Sequence, residues 1–325
     1  MKFALSTNWC NRRLVRGEEI AEAALALGFD ELELGFRTTP ESVAGFKAML
    51  GRIPVRSIHA FCPVPLSAPA GHPELFQLAS FAAGERDLAR AHVVRNIRFA
   101  AEIGADTVVL HAGRVAFSTL FSFRDSSLLR EAFEKGGGKV DARGYRRLLA
   151  RARKTRKARG QRLMPLFRQT LEEIVPVLKE CGVTLAFENL PYLEGFPDED
   201  ETAALVQEFG EAGVRGWFDT GHHRVREQLG WLAGVAAPLP VESYAGMHLN
   251  DVVDVHDDHF APGDGKVDFA SLKPMAQAVR HVVFEPNGEV GEEALRRGLE
   301  HIRALWDGPD AKNGEEAPLP SQVKI

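Results

Sequence analysis

Cysteine is scarce in this chain. Cys10, Cys62 and Cys181 are the only three among 325 residues. They are odd in number and include no CxxC pair, so a reduced, cytoplasmic setting is expected and the three read as small buried side chains. Long apolar runs are missing too. None approaches the roughly 20 residues that span a bilayer, and no membrane association is expected. The opening MKFALSTNWC has one Lys and few apolar residues before polar ones, so it reads as a first strand rather than a signal peptide. No GxGxxG or GxxxxGK[ST] loop follows that strand, which weighs against an open doubly wound sheet. No organic cofactor is expected. Acid is absent from one segment: eleven Arg and Lys lie between Arg143 and Arg168 with no Asp or Glu among them. Without those eleven, the net charge of −5 would be −16, since 29 basic residues would face 45 acidic ones. This is one basic segment on an acidic body rather than a generally basic nucleic-acid binder.

What remains is an ordinary globular composition, 45% hydrophobic and 26% charged. Short apolar runs alternate with stretches of helical spacing. Strand-like runs fall at residues 3–8, 29–36, 55–61, 107–110, 183–187, 216–218, 245–249 and 281–284. Helical patterns fall at 16–27, 40–50, 85–103, 165–181, 201–212, 267–279 and 289–305, with Pro176 predicting a kink in the fourth. Eight strand-then-helix units with buried-looking strands predict an α/β fold: a parallel eight-stranded (β/α)8 TIM barrel in a single domain. The barrel is expected over residues 1–306. An insertion after strand four would span 114–162 and include a basic helix, and 307–325 reads as a polar C-terminal tail.

The densest chemistry lies in residues 245–265, AGMHLNDVVDVHDDHFAPGDG. A short strand breaks at His248 and delivers Asp251, Asp254, His256, Asp257, Asp258 and His259 into a turn closed by Pro262, Gly263 and Gly265. So many imidazoles and carboxylates are costly to bury singly, and divalent cations would satisfy several at once. Barrel enzymes carry catalysis at the carboxyl ends of their strands. His59, His111, Glu188, Asp219, His248 and Glu285 each stand at such an end, on six strands. Asp257 and His259 follow in the loop after strand seven, and His222 lies one turn past Asp219. Mixed nitrogen and oxygen donors suit Zn2+, Mn2+, iron or Co2+ better than calcium or magnesium.

The motifs SIHAF, VLHAG, AFENL, WFDTGHH, GMHLND, DDHFAPGDG and VFEP resemble the xylose-isomerase-like barrel superfamily, which includes sugar isomerases, epimerases and the endonuclease IV group. The resemblance implies one metal held by Glu188, Asp219, His248 and Glu285. It also implies that Glu188 and Glu285 act as the acid/base pair of a sugar or sugar-phosphate isomerase or epimerase, through a metal-stabilised enediolate. Endonuclease IV holds three zinc ions through nine ligands, whose counterparts would be His59, His111, Glu188, Asp219, His222, His248, Asp257, His259 and Glu285. All nine are present, which keeps open a tri-zinc phosphodiesterase acting at abasic DNA sites. A metal-dependent dehydratase or lyase on a sugar-acid-like substrate is a further alternative. The loops RTTP and CPVPLSAPA carry almost no basic residue for gripping DNA, so a small carbohydrate is the expected partner rather than nucleic acid. A homo-oligomer is compatible with the sequence. Trp9, Glu33, Asn189 and Lys266 are expected at the substrate, and Asp251 is expected to orient His248 from behind. His223, His256 and Asp258 read as loop residues. The basic stretch could reach a phosphate, contact nucleic acid, or form a solvent-facing helix.

Overall fold

A computed structural model describes residues 1–115, 125–232, 239–256 and 258–307. Asp257, residues 116–124 of the expected insertion and residues 308–325 of the expected tail lie outside these.

Eight strands alternate with helices: β1 (Ala4–Ser6), α1 (Gly17–Leu27), β2 (Glu31–Leu34), α2 (Pro40–Met49), β3 (Val55–His59), α3 (Ala83–Ile103) and β4 (Thr107–Leu110). After β4 come α4 (Asp125–Lys135), α5 (Arg143–Cys181), β5 (Thr184–Glu188), α6 (Glu199–Phe209), β6 (Val214–Asp219) and α7 (Thr220–Gln228). The last described elements are β7 (Tyr244–Leu249), α8 (Lys273–Ala278), β8 (His281–Phe284) and α9 (Glu292–Asp307). Each strand pairs in parallel with the next, and β1 also pairs with β8, closing a single eight-stranded barrel. Nearly every strand residue is buried, because helices cover the outer face and side chains fill the inner one.

Local chemistry sets the ends. Gly28 stops α1 in the left-handed region at φ 92°, and its N–H donates to Ala24 and Leu25 carbonyls. Asp198 and Glu201 form a reciprocal capping box at the start of α6. One expectation fails: residues 143–181 are a single helix, with Pro165 and Pro176 both inside it. An interior Pro costs about 3 kcal/mol, and here a long apolar face opposes that cost. Leu149, Leu163, Phe167, Leu171, Ile174 and Leu178 all bury along it. Part of the basic segment is also engaged in ion pairs. Arg156 is 5% exposed and bonds Asp198, Glu201 and the Gly195 carbonyl, while Arg168 pairs with Glu208.

Inside the barrel, Ala4, Val109, Ala186, Ala245 and Val283 surround Trp217. A Cβ at Gly246 would meet the Trp217 ring at 2.4 Å, so only glycine admits the indole there. That ring packs edge-on against His248 at 5.0 Å. The plug of the barrel therefore supports the residues at its mouth. No described helix is long and apolar enough to cross a membrane.

Candidate metal centre

Barrel register puts His59, Glu188 and Asp219 as the last residues of β3, β5 and β6, and His248 one before the end of β7. His111 and Glu285 are the first residues past β4 and β8. All six are buried. His248 is the hub. Its Nε2 lies 3.1 and 3.2 Å from the two Glu33 oxygens. Its Nδ1 lies 3.0 Å from Glu285, 3.3 Å from Glu188 and 3.8 Å from Asp219. A neutral imidazole carries one N–H, and Glu33 takes it at Nε2. In that tautomer the Nδ1 lone pair would face three carboxylates, a repulsion that a divalent cation among them, or a proton on Nδ1, would relieve. Glu188, Asp219, His248 and Glu285 each offer a donor atom, all within 4.8 Å of one another. The donor set and its burial fit a divalent ion.

Two more groups share these residues. His59 and His111 each bring Nε2 to 3.1 Å from Glu188 Oε2, and His59 Nδ1 sits 2.9 Å from the Ala60 carbonyl. Asp219, His222 and His259 form the third group. Asp219 also caps α7, accepting from the His222 backbone N–H at 2.6 Å. Asp258 holds His259 Nδ1 at 2.9 Å. His259 adopts φ 64°, in the left-handed region that few residues other than glycine occupy.

Charge follows this geometry. Burial disfavours the imidazolium of His248, but Glu285, Glu33 and Glu188 outweigh it and hold its pKa well above the ordinary value. Burial is likewise outweighed at His222, where Asp219 and Glu188 raise the pKa to about 9. At His259 the opposing groups are Asp258 and Glu285, and its pKa also rises well above normal. Burial would raise Glu188, yet His111 and His248 bring it well below the usual carboxylate range. Burial wins at Asp219, which is raised.

Other expectations need correcting. Asp251 does not orient His248. Its oxygens accept the backbone N–H groups of Val252, Gly263, Gly265 and Val267, so it ties the loop after β7 to itself. The carboxylate behind His248 is Glu33, which also accepts from Ser57 at 2.8 Å and is fully buried. It is thus turned inward rather than toward a substrate. Trp9 is buried and donates to the Val290 carbonyl. Asn189 exchanges hydrogen bonds with the backbone of Asp219. Lys266 borders a separate groove with Phe218, Thr220 and His223. Sequence reasoning misses two residues, Asn8, which donates to Glu285 at 3.0 Å, and Asn250, which donates to Asp219 at 2.6 Å, and it reads as a mere loop residue Asp258, which stands beside His259. Asn8 and Asn250 both stand just past strand ends, the signal that located the ligands. A cavity of about 400 Å3 opens over Glu285 and His259, walled by Asn8, Phe36, Arg37 and Asn287.

Residues 21–305 match the model of the xylose isomerase-like TIM barrel family. The chain belongs to this family. Among solved members of similar fold, 3-keto-D-glucoside 4-epimerase from E. coli aligns over 94% of this chain and 99% of its own, at 17% identity and TM-score 0.61. D-psicose 3-epimerase from Clostridium cellulolyticum aligns over 94% and 99%, at 14% identity and TM-score 0.59. A Thermus thermophilus protein soaked with zinc chloride aligns over 94% and 96%, at 20% identity and TM-score 0.55. At these identities the likeness is one of fold. No curated protein matches the sequence significantly.

Proposed function

We propose that this xylose isomerase-like barrel is a divalent-metal-dependent isomerase or epimerase of a sugar or sugar phosphate. Glu188, Asp219, His248 and Glu285 would hold the ion. The observation that carries the reading is the convergence of Glu188 and Glu285 on His248 Nδ1, at 3.3 and 3.0 Å, beneath a cavity of about 400 Å3. That volume lies within the ~300–1,000 Å3 usual for small-molecule pockets. Epimerases among the solved structures of similar fold support the same substrate class.

The residues then have separable tasks. Glu285 opens into the cavity and can take a proton from a carbon next to a carbonyl, with Asn8 orienting one of its oxygens. Glu188 approaches from the barrel side and is the partner that can return a proton to the other face. Its two oxygens are fixed by His59, His111 and His248. A bound divalent cation supplies positive charge to polarise the carbonyl and stabilise the charge that develops. Glu33 keeps His248 in the tautomer that offers Nδ1. The test is solvent exchange: the metal-loaded protein, incubated with a panel of ketoses and their phosphates in D2O, should introduce deuterium beside the carbonyl of at least one. No exchange with any of them would refute the reading.

A second reading, a three-zinc phosphodiesterase at abasic DNA sites, is supported by the groups His59–His111–Glu188 and Asp219–His222–His259. Cleavage of an abasic duplex by zinc-loaded protein, with no exchange on ketoses, would select it.

A further inference from the structure

Arg12 lies in the turn after β1, and Arg37 follows β2. Both line the cavity above Glu285 and His259. Among the described residues, neither guanidinium forms an ion pair with a carboxylate. The two guanidinium charges repel each other, an anion between them would relieve that repulsion, and the planar guanidinium fork suits bidentate oxyanions. We propose that the substrate of this site carries an anionic end group, a phosphate ester or a carboxylate, held between Arg12 and Arg37. The proposal rests on reading the cavity as a carbohydrate site.

The surroundings are built to aim Arg37. Its backbone N–H donates to Asn8 Oδ1 at 3.4 Å, and the same Asn8 donates through Nδ2 to Glu285. A Cβ at Gly35 would come within 2.2 Å of that Asn8 oxygen, so glycine makes room for the Asn8 side chain against the backbone after β2. The Arg37 guanidinium stacks 4.9 Å from the Phe36 ring centre, and Phe36 in turn packs edge-on against His59 at 5.2 Å. One rigid chain of contacts therefore joins the arginine to both sides of the candidate metal centre. Burial and the nearby Arg12 both lower the pKa of Arg37, and the Glu285 carboxylate offsets them only in part.

The acids in the same wall do not fill this role. Glu285 is engaged by Asn8 and His248, and Asp258 by His259. Glu289 is exposed at the rim, where water and salt screen it. Lys266, the cation that the sequence suggested for an anionic substrate, borders a different groove.

The test uses polyols, which lack a carbonyl and cannot turn over. Binding of D-sorbitol, D-sorbitol 6-phosphate and D-gluconate to the metal-loaded chain is measured by calorimetry at low salt. The phosphate ester or the carboxylate should bind at least about tenfold more tightly than sorbitol, and whichever gains more identifies the end group. Arg37→Gln and Arg12→Gln should each remove most of that gain while sorbitol binding stays within about threefold. Arg37→Lys should restore part of it, which a merely structural arginine would not require. Equal affinity for all three polyols, binding of none, or a gain that survives both Gln variants would overturn the proposal. Failure of the deuterium-exchange test would instead overturn the reaction and leave this comparison standing.

Discussion

Glu33→Gln isolates the carboxylate that stands behind His248. The wild-type residue is fully buried, receives His248 Nε2 at 3.1 and 3.2 Å and accepts from Ser57 at 2.8 Å. Glutamine keeps the shape and one acceptor oxygen, so the imidazole can still donate, but to a neutral group. A hydrogen bond to an ionised partner contributes about 1.5–3 kcal/mol and a neutral one about 0.5–1.5 kcal/mol. The expected loss is therefore about 1–1.5 kcal/mol, or about tenfold in metal affinity. Glu33→Ala also strands the Nε2–H and should reach the upper end of the ~10–100-fold range seen for such outer partners. Competition against a chromophoric chelator, with Zn2+ or Co2+ added to chelator-stripped protein, measures both variants. A dissociation constant unchanged within about threefold in both would refute the view that Glu33 fixes the imidazole for binding. The same outcome would leave the burial of a fourth acid beside His248 without a role.

Other outcomes follow from the same contacts. Asp251→Ala strands four backbone N–H groups, each costing about 1–3 kcal/mol if left dry. The variant should lose at least about 3 kcal/mol in urea unfolding, with faster proteolysis near residues 252–267. Arg156→Leu removes the guanidinium from Asp198 and Glu201, which stay joined by the capping box, and should cost about 1.5–3 kcal/mol. Its metal affinity should stay at the wild-type value, because Arg156 bonds Asp198, Glu201 and the Gly195 carbonyl and none of the candidate ligands. Raised pKa values at His248 and His222 mean that the metal-free chain binds extra protons when folded, so this contribution is complete below the ordinary histidine value of 6.5. It is lost as pH rises through the folded value, about 9 for His222. Metal-free protein should thus lose stability across that interval while metal-loaded protein does not. Zinc affinity should rise with pH over the same interval, with proton release visible as buffer-dependent binding heat.

The barrel is legible in the sequence because its strands are short, apolar and punctuated. Thr107–Leu110 and His281–Phe284 stand in the fold with the bounds their patterns suggest. The ligand types at strand ends are equally plain, since His, Asp and Glu are costly to bury there unless an ion or a partner holds them. What the sequence hides is partnership. Asp251 sits three residues past His248 and looks like its support, but the backbone turns away and the carboxylate collects the loop's N–H groups instead. Glu33 lies 215 positions from His248 and meets it only because the barrel closes. Local propensity divides α5 at its prolines because it cannot see the apolar face that buries along the whole length. In the sequence Arg37 belongs to a loop poor in basic residues, and only its proximity to Arg12 across β1 and β2 gives it meaning.

The most direct test of the account is metal content per chain, by plasma mass spectrometry, on protein purified without chelator and then loaded. We expect about one Mn2+, Co2+ or Zn2+ per chain. Glu188→Ala should abolish it, and His59→Ala should leave the stoichiometry at one, because His59 acts through Glu188. About three zinc ions, falling with His59→Ala or His111→Ala, would contradict the single-ion isomerase and favour the phosphodiesterase. No metal after loading would contradict both.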